Sequence, residues 1–267
     1  MPRMKKFSQW VLGGVLLVGL TACGQKDQTE IKVGATVGPH AQIVEAVAKE
    51  AAKQGLTVKV VEFSDYITPN AALEDGSIDI NSYQHQPFLD NYNRNHGANL
   101  VSIGESILMR MGIYSNKYRS IEQLPDQARI AIPNDPTNGG RGLLLFADAS
   151  VITLRDGVGF NATLNDIVEN PRGFRFIEVD AAQLPRTLDE VDAAAITMNY
   201  VMSAGLDPKQ QGIYLESKQA PLAIMVIATR EKDKDNEAYQ QLVQIYHSPA
   251  VRDFIAQTFN GTIEPAH

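Results

Sequence analysis

The sequence predicts an α/β protein built from two similar lobes, and three observations carry this prediction. Strand and helix patterns alternate with short connections from residue 31 onward, which favours parallel pairing and right-handed crossovers. Two stretches, 73–85 and 188–200, repeat one pattern: the end of a helix, a short apolar strand, then polar and aromatic residues. Because the chain between them starts another strand, we expect the second lobe to be inserted into the first. A single large domain is the alternative.

The N-terminus has the pattern of a secretory signal peptide. Three cations precede an apolar run at residues 10–20 that is too short to span a bilayer as a helix. The run ends in Leu20-Thr21-Ala22-Cys23, which looks like a bacterial lipobox, cut before its cysteine and lipidated on the thiol. We therefore expect residues 1–22 to be removed, Cys23 to carry the lipid, and residues 23–30 to form a tether. An ordinary signal peptide with a chance cysteine is the alternative.

The composition excludes several classes of partner. The formal charge is −7, and it becomes −10 once the signal segment with its three cations is removed. An acidic chain is a poor ligand for nucleic acid or for an anionic membrane surface. The single cysteine rules out an internal disulfide. The mature chain of 245 residues is long enough for two lobes. Hydrophobic residues make up 44% of the whole sequence, which is enough for sizeable cores.

The first lobe begins with a strand at 31–35 and a turn at Gly38-Pro39. A helix is predicted over 40–54, since proline is favoured at the first helical position, and Gly55 should end it. A second strand follows at 58–63. Residues that come directly after such parallel strands should line a crevice at the carboxyl edge of the sheet.

The second lobe begins with a strand at 129–132. The chain is predicted to cross over near 114–118 and to return near 222–230, where the uniformly apolar segment 224–228 is typical of a strand buried on both faces. The spacing of apolar residues at 236–259 predicts a helical tail that packs on the first lobe. We therefore assign residues 31–114 and 223–267 to the first lobe and 115–222 to the second.

The segment 133–146 is the richest in chemistry. Thr137 or Asn138 is expected to cap a helix whose first turn holds Gly139, Gly140 and Arg141. Free N–H groups and the helix dipole favour an anion there, and the guanidinium of Arg141 matches a carboxylate in two parallel bonds. An ion-paired or solvated arginine on a capped helix is the alternative.

Aromatic residues are predicted to converge on the same crevice. Tyr66, Tyr83, His85 and Tyr200 are all expected in loops at strand ends. Aromatic walls with a few polar tips are typical of small-molecule clefts, although each residue alone could be ordinary packing.

Catalytic motifs are absent from the sequence. Its five histidines have no paired metal-ligand spacing, and no G-x-S-x-G elbow occurs. Residues 157–162 match G-x-G-x-x-A, but they follow no clear strand and are interpreted as a turn. We therefore expect neither an enzyme nor a metal or other cofactor.

The chain resembles the NlpA/MetQ lipoproteins, the methionine-binding components of ABC importers. The resemblance rests on the stretches at 64–70, 83–90, 132–138, 169–171 and 183–186 (SDYITPN, YQHQPFLD, IPNDPTN, ENP and QLPR). It implies a type II periplasmic-binding fold, in which two lobes close on an amino acid and deliver it to an ABC permease and its ATPase. It also implies that Arg141 holds the ligand carboxylate and that Tyr66, Tyr83 and His85 wall the side-chain pocket. We expect further contacts from three nearby polar residues: Asn138, Thr197 and Asn199.

The chain departs from this family at three places. Tyr83 stands where phenylalanine is usual, and Thr197 stands where asparagine is usual. The segment 221–225 lacks the asparagine of the family pattern Pro-Tyr-x-Asn. The expected function is therefore a lipid-anchored binding protein of the cell envelope for methionine, a derivative or another small amino acid. A non-transporting envelope lipoprotein, such as an adhesin, is the alternative.

Overall fold

The computed structural model describes residues 30–266. The predicted signal peptide and the lipidation site Cys23 lie outside these residues. The first part of the chain alternates strands and helices: β1 Ile31–Thr36, α1 Pro39–Lys53, β2 Val58–Phe63, α2 Thr68–Glu74, β3 Ile80–His85, α3 Gln86–His96 and β4 Leu100–Leu108.

The second part forms another α/β unit before the chain returns. Its elements are β5 Met111–Tyr114, β6 Arg129–Pro133, α4 Pro136–Asp148, β7 Thr153–Leu154, β8 Ile167–Glu169, β9 Arg175–Val179, α5 Leu184–Thr187, β10 Ala193–Thr197, α6 Met198–Ser203, α7 Pro208–Gln211 and β11 Gly212–Leu215. The returning segment contains β12 Ile224–Arg230, α8 Glu237–Tyr246, α9 Pro249–Phe259 and β13 Glu264–Pro265.

Two separate sheets form the cores of the two lobes. The first has the order β13-β4-β12-β3-β1-β2 and the second the order β11-β5-β10-β6-β9. In each sheet three parallel strands are followed by antiparallel ones: β2-β1-β3 against β12, and β9-β6-β10 against β5. The repeated stretches of the sequence supply β3 and β10, which take equivalent places. The predicted two-lobed α/β fold is confirmed.

The opening unit of the first lobe follows from local signals. Helix α1 starts at Pro39, whose missing N–H is no loss in the first turn, and it buries Ile43, Val44 and Val47 against the sheet. Gly55, with φ 80°, makes the left-handed turn into β2. The predicted strands and helix of this unit agree with the structure to within about one residue at each end.

Strand β3 extends further than the sequence predicts. Tyr83 and His85 lie within it rather than in a loop, and Tyr200 lies in helix α6. The reason is the pairing with β12, where Gln84 lies opposite Val226 but Ser82 lies opposite Ile227. One extra residue on β3 therefore forms a β-bulge at Tyr83, which changes the side-chain directions beyond it.

The first crossover lies earlier than the predicted 114–118. Strand β5, Met111–Tyr114, belongs to the second sheet. All four of its residues pair antiparallel with Ala194–Thr197 of β10, and β5 also pairs with β11. The chain therefore changes sheets between Leu108 and Met111, whereas the sequence assigned residues up to 114 to the first lobe. The bounds of the two lobes as units stay a prediction.

The C-terminal region forms two helices instead of one. Ser248 caps α9, and Pro249 occupies its first position, so the chain turns between α8 and α9. Both helices bury an apolar face in the core that they share with α1 and the first sheet. No helix within residues 30–266 combines the length and the apolar character that crossing a bilayer requires.

Candidate functional site

A cavity of about 20 Å³ lies where the carboxyl ends of strands from both sheets meet. Strands β1 and β3 of the first lobe and β6 and β10 of the second lead into its walls. Seven residues were predicted to contact a ligand, and six of them line the cavity: Tyr66, Tyr83, His85, Asn138, Arg141 and Thr197. Hydrogen bonds from Tyr66 to Thr197 and from His85 to Asn138 join the lobes across it, so the lobes are closed on each other.

One wall is a chain of hydrogen bonds that crosses between the lobes. The N–H of Phe88 donates to His85 Nδ1 at 3.2 Å, so Nε2 carries the imidazole proton. That Nε2 lies 3.1 Å from Asn138 Oδ1 in the other lobe, and Asn138 Nδ2 donates to both carboxylate oxygens of Asp135 at 3.1 Å. Each partner fixes the next, which orients the Asn138 amide and the imidazole together.

A second wall is aromatic. The hydroxyls of Tyr66 and Thr197 share a hydrogen bond across the lobes at 2.8 Å, and Tyr83 donates to the carbonyl of Tyr66 at 3.1 Å. Phe88 packs edge-on against Tyr66 at 6.3 Å. Tyr200, which the sequence also predicted at this crevice, does not line the cavity, and its ring lies 4.6 Å from that of Tyr66. The rings of Tyr66, Tyr83 and Phe88 give the cavity an apolar side suited to a small hydrophobic group.

Arg141 lies in the cavity wall but is already partnered. Its Nε donates to Glu216 Oε1 at 2.9 Å, and its Nη2 donates to Glu216 Oε2 at 2.5 Å and to the Met109 carbonyl at 3.0 Å. The side chains of Arg141 and Glu216 are only 3% and 7% exposed. Within residues 30–266, Nη1 is the guanidinium nitrogen left without a hydrogen bond, and its two N–H groups can serve a ligand.

The predicted cap of helix α4 is wrong. Asp135, and neither Thr137 nor Asn138, is the N-cap, and its carboxylate accepts from the backbone N–H of Asn138 at 2.9 Å. The start of the helix moves to Pro136, so Arg141 lies in the second turn. Because a carboxylate already occupies the helix N-terminus, the open backbone amides that the sequence suggested are not available to an anion.

Both histidines of the cavity are neutral. Burial lowers the pKa of His40 to about 3. Burial, with the positive charge of Arg141, likewise lowers the pKa of His85 to about 3. Burial also raises the pKa of Asp135, against the hydrogen bonds from Asn138 and Thr137. Among the described residues, no cluster of three or more histidine, aspartate, glutamate or cysteine side chains could hold a metal ion.

Five cavity residues were not predicted from the sequence, namely His40, Gln84, Phe88, Met109 and Met225. His40 follows β1 at the start of α1, so the rule for carboxyl ends of parallel strands could have found it. Met109 lies in the segment that connects the two sheets, and Met225 lies near the start of β12. Predicting that they line the cavity would have required knowing where the chain passes from one lobe to the other.

Gln84 also belongs to a buried amide cluster behind the cavity. Asn70 Nδ2 donates to Gln84 Oε1 at 2.8 Å, and Gln84 Nε2 donates to Asn70 Oδ1 at 2.7 Å and to Asn81 Oδ1 at 2.9 Å. The cluster joins α2 to β3. It thereby holds the segment carrying Tyr66 against the strand carrying Tyr83 and His85.

Asn199, the seventh predicted residue, lies beside the cavity rather than in its wall. It is fully buried, and neither amide atom has a hydrogen-bond partner among the described residues. Its Oδ1 lies 3.8 Å from the position that a Cβ on Gly38 of the other lobe would take. The amide therefore sits at the contact between the lobes.

The chain is similar to proteins that are named as bacterial lipoproteins. The model of the NlpA lipoprotein family matches residues 31–267. The D-methionine-binding lipoprotein MetQ of Escherichia coli K12 is 41% identical over 263 residues, covering 96% of this chain and 97% of the relative. Lipoprotein 28 of the same strain is 40% identical over 261 residues, covering 96% and 94%.

A solved structure shares the fold throughout. A nutrient-binding protein from Burkholderia cenocepacia, bound to methionine, is 45% identical and has a TM-score of 0.86, covering 89% of this chain and 100% of that one. These relatives are named as binding proteins or lipoproteins rather than enzymes. Given the family match and identities above 40% over nearly the whole chain, the protein belongs to the NlpA lipoprotein family.

Proposed function

We propose that the protein is a lipid-anchored binding protein of the cell envelope that captures methionine, or a closely related small amino acid, for an ABC importer. The observation that carries the proposal is the aromatic cavity closed between two lobes with Arg141 in its wall. Relatives named for methionine binding, and a neighbour solved with methionine, support the ligand class.

Arg141 is the residue best suited to the ligand carboxylate. Its Nη1 offers two N–H groups that no described residue uses, and charge-assisted hydrogen bonds of this kind are among the strongest available. The rings of Tyr66, Tyr83 and Phe88 would surround the side chain, with the thioethers of Met109 and Met225 as soft apolar neighbours.

Binding requires the lobes to separate and close again, because side chains of the two lobes are hydrogen-bonded to each other across the cavity. The bonds Tyr66–Thr197 and His85–Asn138 join the lobes directly. In this mechanism the ligand enters an open cleft, and these bonds re-form around it or are exchanged for bonds to it. Uptake then depends on a permease that recognises the closed form.

Titration calorimetry with L-methionine, D-methionine and a panel of amino acids tests the ligand class. Replacing Arg141 with methionine should weaken binding about 100-fold, since two hydrogen bonds to a charged group are lost. Arg129→Met, on the exposed start of β6, is the matched control and should leave the affinity unchanged. If no amino acid binds the wild-type protein, or if both variants bind alike, the proposal fails.

The anchor is tested separately in cells. Cys23→Ser should move the protein from the membrane fraction to the soluble fraction and abolish labelling by a radioactive fatty acid. Retention of the label in that variant would contradict lipidation at Cys23. Loss of growth on limiting methionine after gene deletion, restored by the wild-type gene, would support transport, whereas unaffected growth would favour a non-transporting lipoprotein.

A further inference from the structure

Arg141 is held by groups from both segments that connect the lobes. Met109, which supplies a carbonyl to Nη2, lies in the first connection between β4 and β5. Glu216, which binds Nε and Nη2, comes directly after β11 at the start of the return segment. Glu216 Oε2 also accepts from the backbone N–H of Met111 at 3.0 Å. The position of the guanidinium is therefore set by the connections, not by helix α4 alone.

The Arg141–Glu216 pair also balances the charge of the cavity wall. Both side chains are buried, and a buried charge without a partner is strongly unfavourable. The two histidines in the wall cannot supply a positive charge, because burial keeps them neutral. The carboxyl group of Asp135, at the end of the Asn138 chain, adds negative character. A ligand that brings a net negative charge would find no compensating cation.

We propose that Glu216 is a positioning and specificity-determining residue: it fixes Arg141 and makes the cleft select zwitterionic ligands over anions of the same shape. This inference rests on the proposed function, in which Arg141 receives the ligand carboxylate. Glu216 need not touch the ligand. It acts through the guanidinium, whose charge it cancels before the ligand arrives.

The test compares methionine with 4-(methylthio)butanoate, which has the same chain without the ammonium group and carries a net negative charge. In the wild-type protein methionine should bind far more tightly than the acid. Glu216→Gln keeps the side-chain length but leaves Arg141 uncompensated. The acid should then bind about tenfold more tightly than it does to wild type, while methionine binding weakens, so the affinity ratio shifts by more than about tenfold.

Two further variants separate charge from structural damage. Glu216→Asp keeps the charge, so the two affinities should fall by the same factor, and their ratio should stay near the wild-type value. Glu237→Gln removes an exposed carboxyl from the start of α8, a helix that contributes no residue to the cavity, and it should change the ratio by less than about twofold. A gain of affinity for the acid cannot result from a damaged site.

The outcomes are distinguishable. If wild type binds methionine but Glu216→Gln weakens both ligands equally, the inference is wrong while the proposed function stands. If wild type binds neither ligand, the proposed function fails and the inference fails with it. Should Glu216→Gln not fold, wild type and Glu216→Asp still decide the matter: equal binding of acid and zwitterion in both proteins would overturn the inference.

Discussion

The neutral histidines of the cavity should make the protein lose stability in mild acid. His40 and His85 have native pKa values of about 3, against an ordinary value of 6.5. Between these values the unfolded chain binds protons that the native protein does not, so the free energy of unfolding falls as the pH falls below about 6.5. From pH 7 to pH 5 each histidine should remove about 2 kcal/mol, and the pair about 4 kcal/mol.

A loss of about 4 kcal/mol is a large part of the 5–15 kcal/mol that is typical of folded domains. Carboxyl groups oppose it at lower pH. Burial raises the pKa of Asp135, and burial with the charge of Glu216 raises that of Asp148, so both take up protons earlier in the native state than in the unfolded chain. Comparing wild type with variants that lack the histidines at each pH therefore separates the histidine effect from that of these carboxyl groups.

Urea unfolding followed by circular dichroism at pH 7, 6 and 5 gives the required slopes. His40→Gln and His85→Gln should each remove about half of the wild-type dependence, and the double variant should remove both halves. If the free energies of unfolding of wild type and double variant fall in parallel with pH, the histidines are not the cause and the reasoning is refuted.

Three other substitutions test the packing and the closure of the site. Gln84→Leu leaves its amide partners unpaired and should lower the free energy of unfolding by about 1–3 kcal/mol in urea. Gly140→Ala places a Cβ against the carbonyl of Phe160 and should cost about 1–3 kcal/mol in the same assay. Tyr66→Phe loses the bond to Thr197, worth about 1 kcal/mol, and should weaken methionine binding about fivefold in calorimetry.

Each of these has a result that contradicts it. If Gln84→Leu has the free energy of unfolding of wild type, the hydrogen bonds of the amide cluster do not stabilise the fold. An unchanged free energy of unfolding for Gly140→Ala would show that the loop at Phe160 moves aside freely. Unchanged affinity for Tyr66→Phe would show that closure does not depend on the bond to Thr197.

The parts of the fold that the sequence predicts are those set by neighbouring residues. The first strand, helix and second strand depend on local alternation, on Pro39 at the helix start and on Gly55 at its end. Likewise, six of the seven predicted site residues were placed near strand ends, and the fold brings those ends together.

The errors come from contacts between distant parts of the chain. The continuation of β3 through Tyr83 and His85 depends on pairing with β12, which local propensity does not reveal. The partner of Arg141 is Glu216, 75 residues later. Two errors were local. Asp135 also fits an N-cap, and choosing between it and Thr137 required the backbone. Ser248 and Pro249 are local signals for the start of a new helix, and they mark the break between α8 and α9.

The bulge in β3 has a consequence for how such a protein could change its cargo. Three successive residues, Tyr83, Gln84 and His85, all line the cavity, and the bulge at Tyr83 decides to which face of the strand each side chain points. A deletion of one codon there would restore strict alternation and withdraw part of that trio to the opposite face. Insertion and deletion, and not only replacement, are thus evolutionary routes by which this scaffold can alter what it carries.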